Sequence, residues 1–113
     1  MSKSDLIPIK HMLDAAREAT AFIEGKQRAD LDRDRMLSLA LTRLLEIIGE
    51  ASRRVTPATR SRFPAVPWQD AADLRNRLIH GYDQINLDLV WTIAAAELPS
   101  LIAALEEIPG TEP

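Results

Sequence analysis

Met36-Leu37-Ser38-Leu39-Ala40-Leu41-Thr42-Arg43-Leu44-Leu45-Glu46-Ile47-Ile48-Gly49-Glu50-Ala51 is the stretch on which the fold turns. Leu37, Leu41, Leu44, Ile48, Ala51 and Val55 recur at three- and four-residue steps, the spacing of one helix face. Met36, Leu39, Ala40, Leu45 and Ile47 widen that face well past the roughly 100° arc that a surface helix needs. The pattern predicts a helix from about Arg33 to Val55. Its breadth fits burial on two sides, in a bundle core and against a partner chain, and fits equally the central helix of a monomeric bundle. Gly49 inside a helix costs about 1 kcal/mol relative to Ala. A close helix–helix approach would account for it.

On the N-terminal side, Ile9, Leu13, Ala16, Thr20 and Ile23 share one helix face, which predicts a helix from about Ile7 to Ile23. Pro8 then falls in its first turn, where a missing N–H is harmless. Residues 26–34 read as a charged connector, any of whose Asp residues could cap the next helix. On the C-terminal side, Thr56-Pro57 reads as a cap followed by Pro at the first helical position, so a short helix covers 57–62. Phe63 to Trp68 contains Pro64 and Pro67 and reads as an extended apolar loop, with Trp68 plugging the end of the bundle. A fourth helix is expected over about 68–80, stopped by Gly81. The last begins after Asn86, with Asp88 in its first turn. Leu87, Val90 or Trp91, Ala94, Leu98, Leu101, Leu105 and Ile108 mark its buried face, and Pro99 kinks it. The sum is a single all-α domain over 1–113: an up-and-down four-helix bundle with a short extra helix near 57–62 and a kinked C-terminal helix.

Composition excludes much else. The 113 residues suffice for one domain, and 46% hydrophobic with 27% charged residues is a globular balance. The absence of Cys removes disulfides and thiolate chemistry and fits a cytoplasmic location. No unbroken apolar run approaches the roughly 18 residues of a membrane span, and the start of the chain has no signal-peptide plan. The net charge of -3 hides a partition. Residues 53–82 hold six Arg against two Asp, whereas residues 83–113 hold six acids and no base. Arg predominates over Lys, and its planar fork suits phosphate as well as surface ion pairs.

Only two histidines occur. His11, off the Ile9/Leu13 stripe, reads as a partly exposed structural residue. His80 stands in Asp73-Leu74-Arg75-Asn76-Arg77-Leu78-Ile79-His80-Gly81-Tyr82. On a continuous helix Asn76 and His80 share a face at i and i+4, and the long Arg75 side chain can curl toward them. Histidine can act as general base or acid near neutrality, and arginine can stabilise charge developing on a phosphoryl centre. Asparagine can orient the imidazole or bind the phosphate. RNA carries its own nucleophile in the 2′-OH, so the set needs neither a protein nucleophile nor a metal. One His with a distant Asp83 is not a metal-ligand set. The plainer alternative is a helix-end His with Arg residues on a solvated face.

The surroundings of this segment resemble the HepT-like family of HEPN-domain ribonuclease toxins. The likeness runs through Arg43-Leu44-Leu45-Glu46-Ile47-Ile48-Gly49-Glu50-Ala51, Pro64-Ala65-Val66-Pro67-Trp68, Arg75-Asn76-Arg77-Leu78-Ile79-His80-Gly81-Tyr82, Val90-Trp91 and Leu98-Pro99-Ser100-Leu101. Met1 to Lys26 resembles the family by helical pattern alone. The resemblance implies an all-α bundle that forms a homodimer, through the second and fourth helices here, and sets two Arg-x4-His motifs beside a shared cleft. It implies a metal-independent endoribonuclease, the toxin of a toxin–antitoxin module, with Arg75 and His80 catalytic, Asn76 assisting and no cofactor. Arg77 is a possible further RNA contact. Tyr82 matches the tyrosine that a partner nucleotidyltransferase, the MntA-like antitoxin, modifies with AMP in similar systems. The alternative function is a non-catalytic helical adaptor that binds nucleotide or the nucleotidyltransferase.

Overall fold

A computed structural model describes residues 2–81 and 84–112, and for His80 its backbone alone. Among the described residues the chain is a helical bundle with one two-stranded hairpin. The helices are α1 (Lys3–Phe22), α2 (Asp30–Arg33), α3 (Arg35–Arg53), α4 (Pro57–Arg62), α5 (Trp68–Ala72) and α6 (Leu74–Leu78). The hairpin strands β1 (Ile79–Gly81) and β2 (Gln84–Ile85) come next, then α7 (Leu87–Thr92), a π-helical turn (Ile93–Glu97) and α8 (Leu98–Glu106). The all-α expectation is met.

Helix α1 begins at Lys3, four residues before the expected start, because Ser2 caps it by accepting the Asp5 N–H at 3.3 Å. Pro8 is therefore inside the helix rather than in its first turn. The bond it forfeits belongs to the carbonyl of exposed Ser4, where water can substitute. Ile9, Met12, Leu13, Ala16 and Ala19 are buried and pack α1 along α3. The charged connector contains α2, whose Leu31 enters the core. Asp34 caps α3, accepting from the Leu37 N–H at 3.0 Å.

Helix α3 carries the expected core stripe: Leu37, Leu41, Leu44, Leu45, Ile48 and Ala51 are buried. The residues that widened the face divide. Leu45 goes inside, Ile47 and Ala40 are half-buried, and Met36 and Leu39 stand 82% and 48% exposed. Gly49 is needed within the chain: a Cβ there would lie 3.1 Å from the Ala71 carbonyl oxygen. The close approach inferred from Gly49 is thus between α3 and α5.

Helix α4 occupies 57–62 as expected. Thr56 precedes it but does not cap it with its side chain, because that hydroxyl and the Thr56 N–H both donate to Asp5, at 2.5 and 3.1 Å. The Thr59 hydroxyl also donates to Asp5, at 2.5 Å. Trp68 plugs the end of the bundle, buried, with its indole N–H donating to the Phe63 carbonyl at 3.0 Å.

The expected fourth helix over 68–80 is the main departure. It breaks at Asp73 into α5 and α6, and α6 ends at Leu78. The cap of α6 is Ile79 in extended conformation, not Gly81. Ile79 pairs with Ile85 and Gly81 with Gln84 in the antiparallel hairpin, whose base is closed by the Asn86 N–H on the Leu78 carbonyl at 3.0 Å. β-branched Ile79 gains more from this pairing than from one further helical residue. The last helix starts as expected, with Asn86 accepting from the Leu89 N–H. Pro99 cannot donate an N–H, and the chain widens into the π turn just before it. By length and mean hydropathy of 1.5, Leu87–Glu106 would suffice to cross a membrane, contrary to the expectation from unbroken apolar runs. Glu97 interrupts the run without lowering its mean far. Val90, Ile93, Ala94, Leu98, Leu101 and Leu105 from this stretch are buried in the core.

Asp5 is 2% exposed, and the Thr56 hydroxyl, then that of Thr59, hold its carboxyl below the usual carboxylate range against the opposing effect of burial. A depressed folded pKa contributes stability that is present above the unfolded value and lost as pH falls through the folded one. Chemical denaturation of Asp5→Ala should show a loss of about 2 kcal/mol at neutral pH. Asp5→Asn should flatten the fall of stability below about pH 4.

Candidate active site

The C-terminal half of α3 builds the site by gripping the α5–α6 elbow. Gly49 lets the Ala71 and Ala72 carbonyls approach the α3 axis. The buried Ser52 hydroxyl donates to the Trp68 carbonyl at 2.8 Å, and Arg53 Nε donates to the Ala72 carbonyl at 3.1 Å. Helices of five residues have no independent stability, so these contacts fix where α6 projects its side chains.

They project in two directions. Arg75 and Asn76, both exposed, line a cleft of about 80 Å³ between α3 and α6, together with Glu46, Gly49, Glu50, Arg53 and Ala72. Arg77 leaves the opposite flank and forms a two-pronged ion pair with Glu97 of the π turn, at 3.3 and 3.2 Å. The structure thus brings Arg75 and Asn76 together and sets Arg77 apart from them. His80 lies on β1, two residues beyond the end of α6. The helical i, i+4 relation between Asn76 and His80 therefore does not hold. The His80 side chain and Tyr82 lie outside the described residues.

The cationic middle third is partly committed elsewhere. Arg60 closes the end of α3, donating to the carbonyls of Val55 at 3.1 Å and Ser52 at 2.8 Å. Arg62 rests over the Phe63 ring, 5.6 Å from its centroid. Among the described residues Arg75 makes no ion pair, so its fork remains available to a ligand in the cleft. The sequence reading missed Arg53 as a cleft residue. Its spacing from Gly49, one helical turn on, was the only available signal.

The fold and this cleft define an all-α domain with a polar, arginine-bearing site on the flank of its central helix. The sequence model of the family described as "Ribonuclease HepT-like" matches residues 12–108. A Methanocaldococcus jannaschii protein named "Putative RNase MJ1380" is 36% identical over 107 residues, 94% of this chain and 98% of that protein. A Caldanaerobacter subterraneus protein named "Putative RNase TTE0752" is 32% identical over 88% of this chain and 89% of its own length. A Thermococcus cleftensis protein named "Probable ribonuclease HepT" is 32% identical, covering 88% of this chain and 94% of its own length. No solved structure matches the chain. The chain belongs to the HepT-like ribonuclease family.

Gly49→Val would set a Cβ 3.1 Å from the Ala71 carbonyl oxygen and add two methyl groups to that tight contact. Overpacking of this kind costs about 1–3 kcal/mol. The variant should lower the denaturation midpoint and weaken ribonuclease activity together, as measured by urea unfolding and RNA cleavage on the same preparation.

Proposed function

We propose that this ribonuclease is an endonuclease that uses no metal and cleaves through the substrate's own 2′-OH. Arg75 stabilises the charge that develops on the phosphorus-bound oxygens. His80 accepts the 2′-OH proton as the oxygen attacks phosphorus; the bond from phosphorus to the 5′-oxygen breaks, and that oxygen takes a proton from water. Asn76, beside Arg75, binds or orients the phosphate. The products are a 2′,3′-cyclic phosphate and a 5′-OH. The observation that carries this reading is the shared cleft of Arg75 and Asn76, on a helix that is gripped by α3 and runs directly into the strand that bears His80.

The reading extends to assembly and control. The protein acts as the toxin of a toxin–antitoxin module in the cytoplasm, as a homodimer formed through α3 and the α5–α6 segment. The exposed apolar Met36 and Leu39 on α3 support such a contact. A neighbouring nucleotidyltransferase of the MntA type silences it by transferring AMP to Tyr82. The phenol oxygen attacks the α-phosphorus of ATP and pyrophosphate leaves. The added phosphate would compete with RNA for Arg75, and the adenosine would fill substrate space.

Purified protein incubated with total RNA in EDTA should yield 2′,3′-cyclic phosphate ends and leave DNA intact. His80→Ala and Arg75→Ala should each lose about 100- to 10,000-fold in rate while keeping helical circular dichroism. Full activity in His80→Ala, or activity abolished by EDTA, would overturn the mechanism. Light scattering should give a dimer that Met36→Glu combined with Leu39→Glu converts to monomer. With ATP and the nucleotidyltransferase present, mass spectrometry should find AMP on Tyr82, and Tyr82→Phe should stay active.

A further inference from the structure

We propose that Arg53 is a second phosphate-binding residue of the active cleft, its Nη1 and Nη2 groups holding the same phosphate that Arg75 holds. The two arginines come from different elements. Arg53 closes α3 and Arg75 stands in the first turn of α6, and both line one cleft of about 80 Å³. That is roughly the share of two or three water molecules in the liquid, room for one phosphate group but not for a whole nucleotide. Arg53 lies on the flank of α3 that faces the elbow, with Gly49 and Ser52. Any pairing of two copies that admits RNA to Arg75 therefore admits it to Arg53.

Arg53 has one donor committed and the rest unused. Its Nε donates to the Ala72 carbonyl at 3.1 Å, the single hydrogen bond its guanidinium makes among the described residues. A guanidinium carries five N–H donors in one plane, so a bond at Nε orients the fork and leaves four donors on the Nη atoms. Side-chain freedom that phosphate binding would otherwise have to remove is already restricted by the fold. The acids of the cleft, Glu46 and Glu50, do not occupy the fork. Their ion pairs are to Arg43 and Arg54, at 3.8 and 3.9 Å, and Arg53 has none among the described residues. Two like charges in so small a cleft repel, and an anion between them turns that repulsion into attraction. The attraction grows as negative charge builds on the phosphorus-bound oxygens during 2′-OH attack. A bracing role alone would need only the Nε–Ala72 bond.

This role rests on the ribonuclease reading, and the test separates the two. The probe is a short 2′-O-methyl single-stranded RNA, which cannot be cleaved through its 2′ position. Binding is read by fluorescence anisotropy across a salt series, beside urea unfolding of each variant. A phosphate contact contributes a slope of about 0.7 in log K against log salt for single strands. Arg53→Gln should weaken binding about tenfold or more and make the slope shallower by up to about 0.7. Because one phosphate is shared, Arg53→Gln/Arg75→Gln should lose much less than the product of the two single losses. Arg53→Lys keeps the charge and should restore the slope but not the full affinity, since an ammonium lacks the fork. Ser52→Ala loosens the same elbow without removing a charge, so it should lower the urea midpoint and leave the slope at its wild-type value. Arg17→Gln removes an equal charge outside the cleft and should change affinity by no more than about twofold. Wild-type affinity and slope in Arg53→Gln, full affinity in Arg53→Lys, or losses that multiply in the double variant overturn the shared grip. So does a slope that falls as far in Ser52→Ala as in Arg53→Gln, which would make Arg53 a brace. In each of these cases RNA cleavage by the wild-type protein leaves the ribonuclease reading intact. If the wild-type protein neither binds the probe nor cuts RNA, both readings fall.

Discussion

The contact on which the site depends is the approach of the Ala71 carbonyl to Gly49. A Cβ at that position would lie 3.1 Å from the oxygen, so no other residue lets α5 lie this close without a shift. Gly in a helix costs about 1 kcal/mol, and the packing it permits offsets that cost. Ser52 and Arg53 then bind the Trp68 and Ala72 carbonyls from the same flank of α3. One long helix, itself anchored by its core stripe, thereby stations a short elbow that could not hold its shape alone. Arg75 and Asn76 inherit their positions from it.

Charge tells a similar story about commitment. The concentration of Arg between residues 53 and 77 looks uniform in sequence, yet the structure assigns these side chains to different tasks. Arg60 satisfies carbonyls at the end of α3, Arg53 commits its Nε to Ala72, and Arg77 pairs with Glu97. Arg75 makes no ion pair among the described residues and Arg54 comes no closer to Glu50 than 3.9 Å, and the two line the separate depressions that flank α3. A count of charges cannot distinguish a helix-capping guanidinium from a ligand-binding one, because both demand the same residue. The difference lies in which carbonyls and carboxylates the fold brings near.

Elements governed by local rules were legible in the sequence. The α3 stripe, the Pro57 start of α4, the Trp68 plug and the Asn86 cap all arise from spacing or from a residue's own backbone preference. Most of what escaped was set by distant partners. Ser2 starts α1 early as a local cap on the Asp5 N–H, and the Asp5 carboxylate is held in turn by Thr56 and Thr59, more than fifty residues away. The end of α6 depends on Ile79 finding Ile85, a pairing that no helical periodicity announces. Of the site, the Arg75–Asn76 pair was readable from the motif and its family likeness. Arg53 was not, since its bond to the Ala72 carbonyl spans nineteen residues.

The arm formed by α7, the π turn and α8 supplies the opposing constraint on α6. Leu98 N–H bonds to the Ile93 carbonyl across the wider turn, and the helix resumes with Pro99 in its first turn, where a missing N–H costs nothing. A π turn accommodates an extra residue relative to regular α-helix, which rotates the side chains of α7 about the axis relative to those of α8. Here that change lets Leu98 and Leu101 face the core while Glu97 turns outward to meet Arg77. An ion pair with side chains 33% and 44% exposed adds little stability, typically below about 1 kcal/mol. Its two-pronged geometry nevertheless restricts the rotation of α6 about its own axis. With α3 holding the elbow on one side and Glu97 holding Arg77 on the other, the direction of Arg75 is set from both flanks, and so is the exit of the chain into the strand that carries His80.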